Sequence, residues 1–116
     1  MKPHQSPHVN PQKKTIEFFF HNDYANHVSL PPSSHVSLVG SFNNWAQDAL
    51  LMQIEEEGLW KIEIPMLPEG KYTYKFFIDD KIWVEDVDNP YREPDGLMGF
   101  NSVLFVEQEA VRETQE

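Results

Sequence analysis

The sequence predicts an all-β fold, a single antiparallel β-sandwich. Three observations predict it. Apolar residues alternate with polar ones at period two in most segments, and the helical period is nearly absent. Turn-forming residues interrupt these segments at short intervals. A chain of 116 residues with 13% aromatic side chains supplies one hydrophobic core and not two.

The strands follow in order. Thr15 to Phe20 (TIEFFF) is the first. Asn22 to Ser34 is a polar connection broken by Pro31-Pro32, with room for a short edge strand over His27 to Leu30. Val36 to Val39 is the next strand, ended by Gly40, and Ser41 to Gln47 is a turn-rich loop. Leu50 to Ile54 is a short strand that turns at Glu55 to Gly58 into Leu59 to Ile64, where Trp60, Ile62 and Ile64 alternate with Lys61 and Glu63. This phase assigns Trp60 to the core. Pro65 to Gly70 is a turn. Lys71 to Ile78 (KYTYKFFI) is the most regular segment: Tyr72, Tyr74, Phe76 and Ile78 share one face, and Lys71, Thr73, Lys75 and Phe77 the other. Asp79-Asp80 reads as a two-residue hairpin turn into Lys81 to Val84. Glu85 to Phe100 is a long loop with two Pro and two Gly, and Asn101 to Val106 is the last strand. The domain therefore covers 15–106, between a disordered tail over 1–14 and a charged tail over 107–116.

Composition narrows the partners. The net charge is −10, and it is unevenly spread: residues 1–15 carry +3 from Lys2, Lys13 and Lys14, and the remainder carries −13. So acidic a body repels phosphate backbones and anionic lipid heads, which argues against nucleic acid and membrane partners; a neutral ligand meets no such barrier. No segment approaches the run of about 20 apolar residues that spans a bilayer, and Met1 to Gln12 lacks the apolar centre of a signal peptide. The absence of cysteine removes disulfides, thiolate metal sites and thiol nucleophiles, and fits a reducing, cytoplasmic compartment. His4 and His8 stand in a Pro-rich, unpatterned stretch and are read as part of the tail and not as a metal pair.

Three segments in a fixed order are more specific than any one of them. They are VSLVGSFNNW over Val36 to Trp45, EGKYTYKFFI over Glu69 to Ile78 with Trp83 beyond the hairpin, and Asn89-Pro90 followed by Gly99-Phe100-Asn101-Ser102-Val103. Together they resemble carbohydrate-binding module family 48, the glycogen-binding module of AMP-activated protein kinase β subunits and the N-terminal module of isoamylases and branching enzymes. The resemblance covers about residues 15 to 106. It implies an immunoglobulin-like sandwich of the early-set type and a face that binds α-1,4-linked glucan, either glycogen or maltooligosaccharides. By the same resemblance, Trp45 and Trp83 are aromatic platforms, and Lys75 and Asn101 hydrogen-bond sugar hydroxyls. Leu97 is the loop residue pushed into the curve of the glucan, with Met98 as the other candidate for that place. The connection over 22–34 is longer than the family pattern.

The residues themselves suit that chemistry. A pyranose has an apolar C–H face that a flat ring covers without stranding polar groups, and a rim of hydroxyls that charged or amide groups can hold. Trp45 follows Asn43-Asn44 in a polar loop, where it serves equally as a platform or as a lid folded back on the sandwich. Trp83 lies between Ile82 and Val84 and faces away from them, so it is outside if they are core. Lys75 lies on the polar face of its strand, near Trp83 across the hairpin, and otherwise reads as a solvated lysine. Asn101 also suits a simple turn role. Two stacked Trp, less ordering costs, correspond to a dissociation constant on the order of 10 μM to 1 mM.

Catalysis is not expected. Asp79, Asp80, Glu85, Asp86 and Asp88 lie in hairpin and loop runs, where solvated carboxylates are the rule, and the chain is too short for a barrel. Asp86-Val87-Asp88 departs from the calcium-loop pattern at Pro90. No cofactor or metal is implied. The reading is a stand-alone, non-catalytic glucan-binding module, without the kinase subunit's C-terminal interaction region or an attached hydrolase. The alternatives are a regulatory sandwich that binds a protein partner, as in the kinase, and a separately encoded accessory module of an amylolytic enzyme.

Overall fold

A computed structural model describes residues 6–21, 35–47, 49–56 and 58–107. Nine strands are formed there: β1 (His8–Asn10), β2 (Thr15–His21), β3 (Val36–Gly40), β4 (Gln53–Glu56), β5 (Leu59–Pro65), β6 (Gly70–Ile78), β7 (Ile82–Val84), β8 (Arg92–Pro94) and β9 (Phe100–Val106). They make two antiparallel sheets, as the alternation requires. The first has the order β1-β2-β5-β4. The second has the order β3-β6-β9-β8, with β7 also paired to β6. The result is an immunoglobulin-like sandwich.

The core is the inward half of the alternation. Ile16, Phe18 and Phe20 of β2 meet Tyr74, Phe76 and Ile78 of β6, and Trp60, Ile64 and Leu104 close the cluster. Edge-to-face contacts organise the rings: Phe18 and Tyr74 have centroids 5.0 Å apart, Phe20 and Phe76 5.4 Å apart. Such pairs add about 0.5–1.5 kcal/mol each beyond burial. Trp60 is core, in phase with its strand.

Two strands lie where the sequence indicates none. β1 occupies part of the stretch expected to be a tail. Only Val9 of its three residues packs against the core, so it has no alternation to read. It forms because the Asn10 carboxamide accepts from the N–H groups of Gln12 and Lys13, both at 3.1 Å, and turns the chain back into β2. β8 lies in the expected long loop and ends at Pro94, an edge position where the missing N–H costs no ladder bond. A third difference concerns Leu50 to Ile54. Here the chain changes sheets: Leu38 N–H donates to the Leu50 carbonyl and Met52 N–H to that of Val36, both at 2.8 Å, before β4 pairs with β5. The possible edge strand over His27 to Leu30 lies outside the described residues.

The Asp79-Asp80 turn forms as expected. Both residues have positive φ, 53° and 57°, and Lys81 N–H donates to the Ile78 carbonyl at 2.9 Å. Gly40 has a different reason to be glycine. Its backbone is extended, but a Cβ there would sit 2.6 Å from the Thr73 carbonyl and 2.8 Å from the Phe42 ring. Gly40→Ala is therefore expected to cost about 2 kcal/mol by overpacking, read as a lower midpoint in denaturant unfolding.

Candidate functional site

Strand β6 is the axis of the site. β3 pairs with its residues 74–78 along one edge, while β9 and β7 share the other edge. The outward residues of this sheet therefore form one surface, with Lys75 near its middle. Val39 is the cross-strand partner of Lys75 on one side, and Trp83 is the partner of Phe77 on the other.

Trp83 is 42% exposed. Its ring stacks on Phe77 with centroids 4.0 Å apart and planes 22° from parallel, so one indole face is backed by protein. Val84 is buried, whereas Ile82, at the strand end, is exposed like Trp83 and is not core. Trp45 is 37% exposed and lies just after the short 3-10 turn Ser41–Asn43 that follows β3. This loop is tied down locally: Trp45 N–H donates to the Gly40 carbonyl at 2.8 Å, and Thr73 N–H donates to Ser41 Oγ at 3.1 Å. Asn44 and Trp45 both hold φ near 58°. The topology thus puts the two Trp-bearing segments on opposite edges of β6, with Lys75 between.

Lys75 is not a solvated lysine. Its side chain is 17% exposed and its ammonium lies 2.7 Å from Asp95, whose side chain is 9% exposed. The other Asp95 oxygen accepts from Leu97 N–H at 2.7 Å and Gly99 N–H at 3.1 Å. The Lys75 bond and these loop N–H groups hold the Asp95 carboxyl down at about 2. One carboxylate thereby fixes both the lysine and the loop over 95–99. The loop presents Leu97, 83% exposed, together with a fully exposed Met98. Asn101 is half-buried on β9, opposite Glu93 of β8.

A groove of about 560 Å³ opens beside this surface, lined by Lys75, Trp83, Glu85, Asp86, Arg92 and Phe100 among others. It contains Lys75 and Trp83 of the sequence-derived set; Trp45, Leu97 and Asn101 stand outside its lining. Arg92 forks onto Glu85 through two bonds of 2.9 and 3.1 Å, and its guanidinium lies 3.9 Å from the centre of the Phe100 ring.

The floor of the groove corrects, for Asp86, the expectation of a solvated carboxylate. Asp86 is 3% exposed. Tyr74 hydroxyl donates to it at 2.7 Å, Ser6 hydroxyl donates to the same oxygen, and Asp88 N–H donates to the other at 3.2 Å. Asn89 donates to Tyr74 hydroxyl at 3.0 Å and to the Val103 carbonyl at 2.8 Å. Ser6 also accepts from Phe19 N–H at 3.0 Å, which ties the N-terminal segment to both sheets. Burial raises the Asp86 carboxyl to about 6, against the opposing hydrogen bonds. Asp86 and Asp95 were both missed as structural residues because an acid in a loop carries no apolar phase; the Pro94-Asp95-Gly96 turn signature was the one available signal. His8 meets Glu17 at 3.1 Å, and no cluster of three or more metal-ligating side chains occurs among the described residues. No helix among them is long and apolar enough to cross a membrane.

Comparison with known proteins identifies the family. The family model described as the glycogen recognition site of AMP-activated protein kinase matches residues 23–112. The 1,4-alpha-glucan branching enzyme GlgB 1 of Clostridium perfringens is 42% identical over 53 residues, 44% of this chain and 8% of the enzyme. The human 5'-AMP-activated protein kinase subunit beta-2 is 40% identical over 55 residues, 47% of this chain and 19% of the subunit. The chain thus spans a small part of the length of either relative. Over most of its own length it belongs to the family of the kinase's glycogen recognition site, a non-catalytic carbohydrate-binding module.

Proposed function

We propose that the module binds α-1,4-linked glucan, as glycogen or maltooligosaccharide, across the outer surface centred on β6. The carrying observation is the Trp83–Phe77 stack beside Lys75: an exposed indole, backed by protein on one face, next to a lysine held in place. In this reading Trp45 and Trp83 cover apolar sugar faces from the two edges of β6. Lys75 and Asn101 hold hydroxyls, and Leu97 or Met98 enters the curve of the chain. A backed ring loses little freedom on binding, which favours affinity. In this reading the partner protein is an amylolytic enzyme or a kinase, in a cytoplasmic setting.

Maltoheptaose titrated into the protein is expected to quench Trp fluorescence with a dissociation constant on the order of 10 μM to 1 mM. Glycogen should co-sediment the protein, and binding should tighten with chain length as more modules engage one polymer. No response to maltoheptaose at millimolar concentration, together with no glycogen co-sedimentation, would sink the reading.

A further inference from the structure

We propose that Asp95 is a specificity-determining residue of this site: by pairing with Lys75, while Glu85 pairs with Arg92, it leaves no unmatched cation among the described residues of the groove, so neutral glucan is accepted and phosphate-bearing glucan is turned away. The inference rests on the glucan reading above and concerns which glucans the site takes.

Among the described residues, the charged side chains lining the groove are Lys75, Arg92, Glu85 and Asp86. Each cation already has a carboxylate. Lys75 has Asp95 at 2.7 Å, and Arg92 has Glu85 through a two-bond fork. Asp86 adds a further acid beneath them. The local balance is therefore neutral to negative, on a chain whose net charge is −10. A phosphate ester arriving here must break one of the pairs or face a negative field.

Asp95 cannot easily release Lys75. Its second oxygen is occupied by Leu97 and Gly99 N–H groups, so rotating the carboxylate away would dismantle the loop over 95–99. Its low exposure and depressed titration keep it charged through the neutral range. Yet an ammonium has three donors. One is used by Asp95, and the others remain for sugar hydroxyls. The pair thus keeps the hydrogen-bonding power of Lys75 and cancels its charge.

The test compares maltoheptaose with maltoheptaose carrying a single 6-phosphate, measured by calorimetry on the full chain at low and high salt. Wild type is expected to prefer the neutral sugar. Asp95→Asn keeps a carbonyl to accept the loop N–H groups but frees the Lys75 charge. It should move the ratio of the two dissociation constants toward the phosphorylated ligand by about 5- to 10-fold at low salt, less at high salt. Adding Lys75→Met to that variant should reverse the change. Glu85→Gln, which frees Arg92 without touching the loop, should shift the ratio in the same direction and serves where Asp95→Asn does not fold. A purely structural role for Asp95 would weaken both ligands together and leave the ratio where it was. An unchanged ratio in folded Asp95→Asn, or in Glu85→Gln where Asp95→Asn does not fold, with maltoheptaose still bound by wild type, overturns the specificity role alone. Absence of maltoheptaose binding in wild type overturns the glucan reading with it.

Discussion

Replacing Trp83 by Ala is expected to weaken maltoheptaose binding by about 10- to 100-fold, the equivalent of the 1.5–3 kcal/mol that a large apolar side chain contributes on burial. The indole is exposed on one face and stacked on Phe77 with the other, so its loss removes the proposed platform and uncovers a buried ring together. The two effects are separable. Loss of the stack costs fold stability about 0.5–1.5 kcal/mol, read from thermal unfolding. Loss of the platform is read by calorimetry, because Trp83 is itself a fluorescence reporter. Trp83→Phe retains a ring against Phe77 and should recover most of the stability and part of the affinity. Trp83→Ala binding as tightly as wild type would remove Trp83 from the site.

Replacing Asp86 by Ala is expected to lower stability by about 2–4 kcal/mol and the melting temperature by roughly 10–20 °C. The substitution strands the hydroxyls of Tyr74 and Ser6 and the N–H of Asp88 in a dry environment. It also unties the N-terminal segment from the groove floor. Asp86→Asn should cost less, because a carbonyl remains, and it isolates the charge. The folded carboxyl titrates at about 6 against an ordinary 3.8. Between those values the folded state holds more protons than the unfolded one, so this group's contribution falls as pH rises from about 4 to 6. A shift of that size corresponds to about 3 kcal/mol. Asp95 acts in the opposite sense: its carboxyl is lowered to about 2, so its contribution is present above about 4 and is lost as pH falls toward 2. Unfolding midpoints measured from pH 4 to 7 should show Asp86→Asn gaining on wild type as pH rises. Parallel curves for the two proteins would contradict the buried titration.

Much of the fold was legible because alternation survives in sequence. The strands over 15–21, 59–65 and 70–78 carry it in sequence, and Tyr74, Phe76 and Trp60 fall where its phase puts them. β1 and β8 were not legible, since three residues are too few to show a period. The change of sheet at Leu50 to Gln53 has no local signal either, because it depends on which edges are open in the folded molecule.

The site divides along the same line. The sequence by itself determined that aromatic side chains would be left over from the core and that Trp83 would oppose its neighbours on the strand, because side-chain direction on a strand follows from position alone. It also determined, through the order of SFNNW, YKF and the Asn-Ser-Val strand, which family the chain belongs to. Only the tertiary structure decided that Lys75 is paired with Asp95, that Asp86 is buried under the groove, and that Phe77 backs the Trp83 ring. Asp95 lies 20 residues from Lys75, and Ser6 lies 80 from Asp86. The state of a charged side chain is set by what the folded chain brings within a few ångströms of it, and no periodicity records that distance.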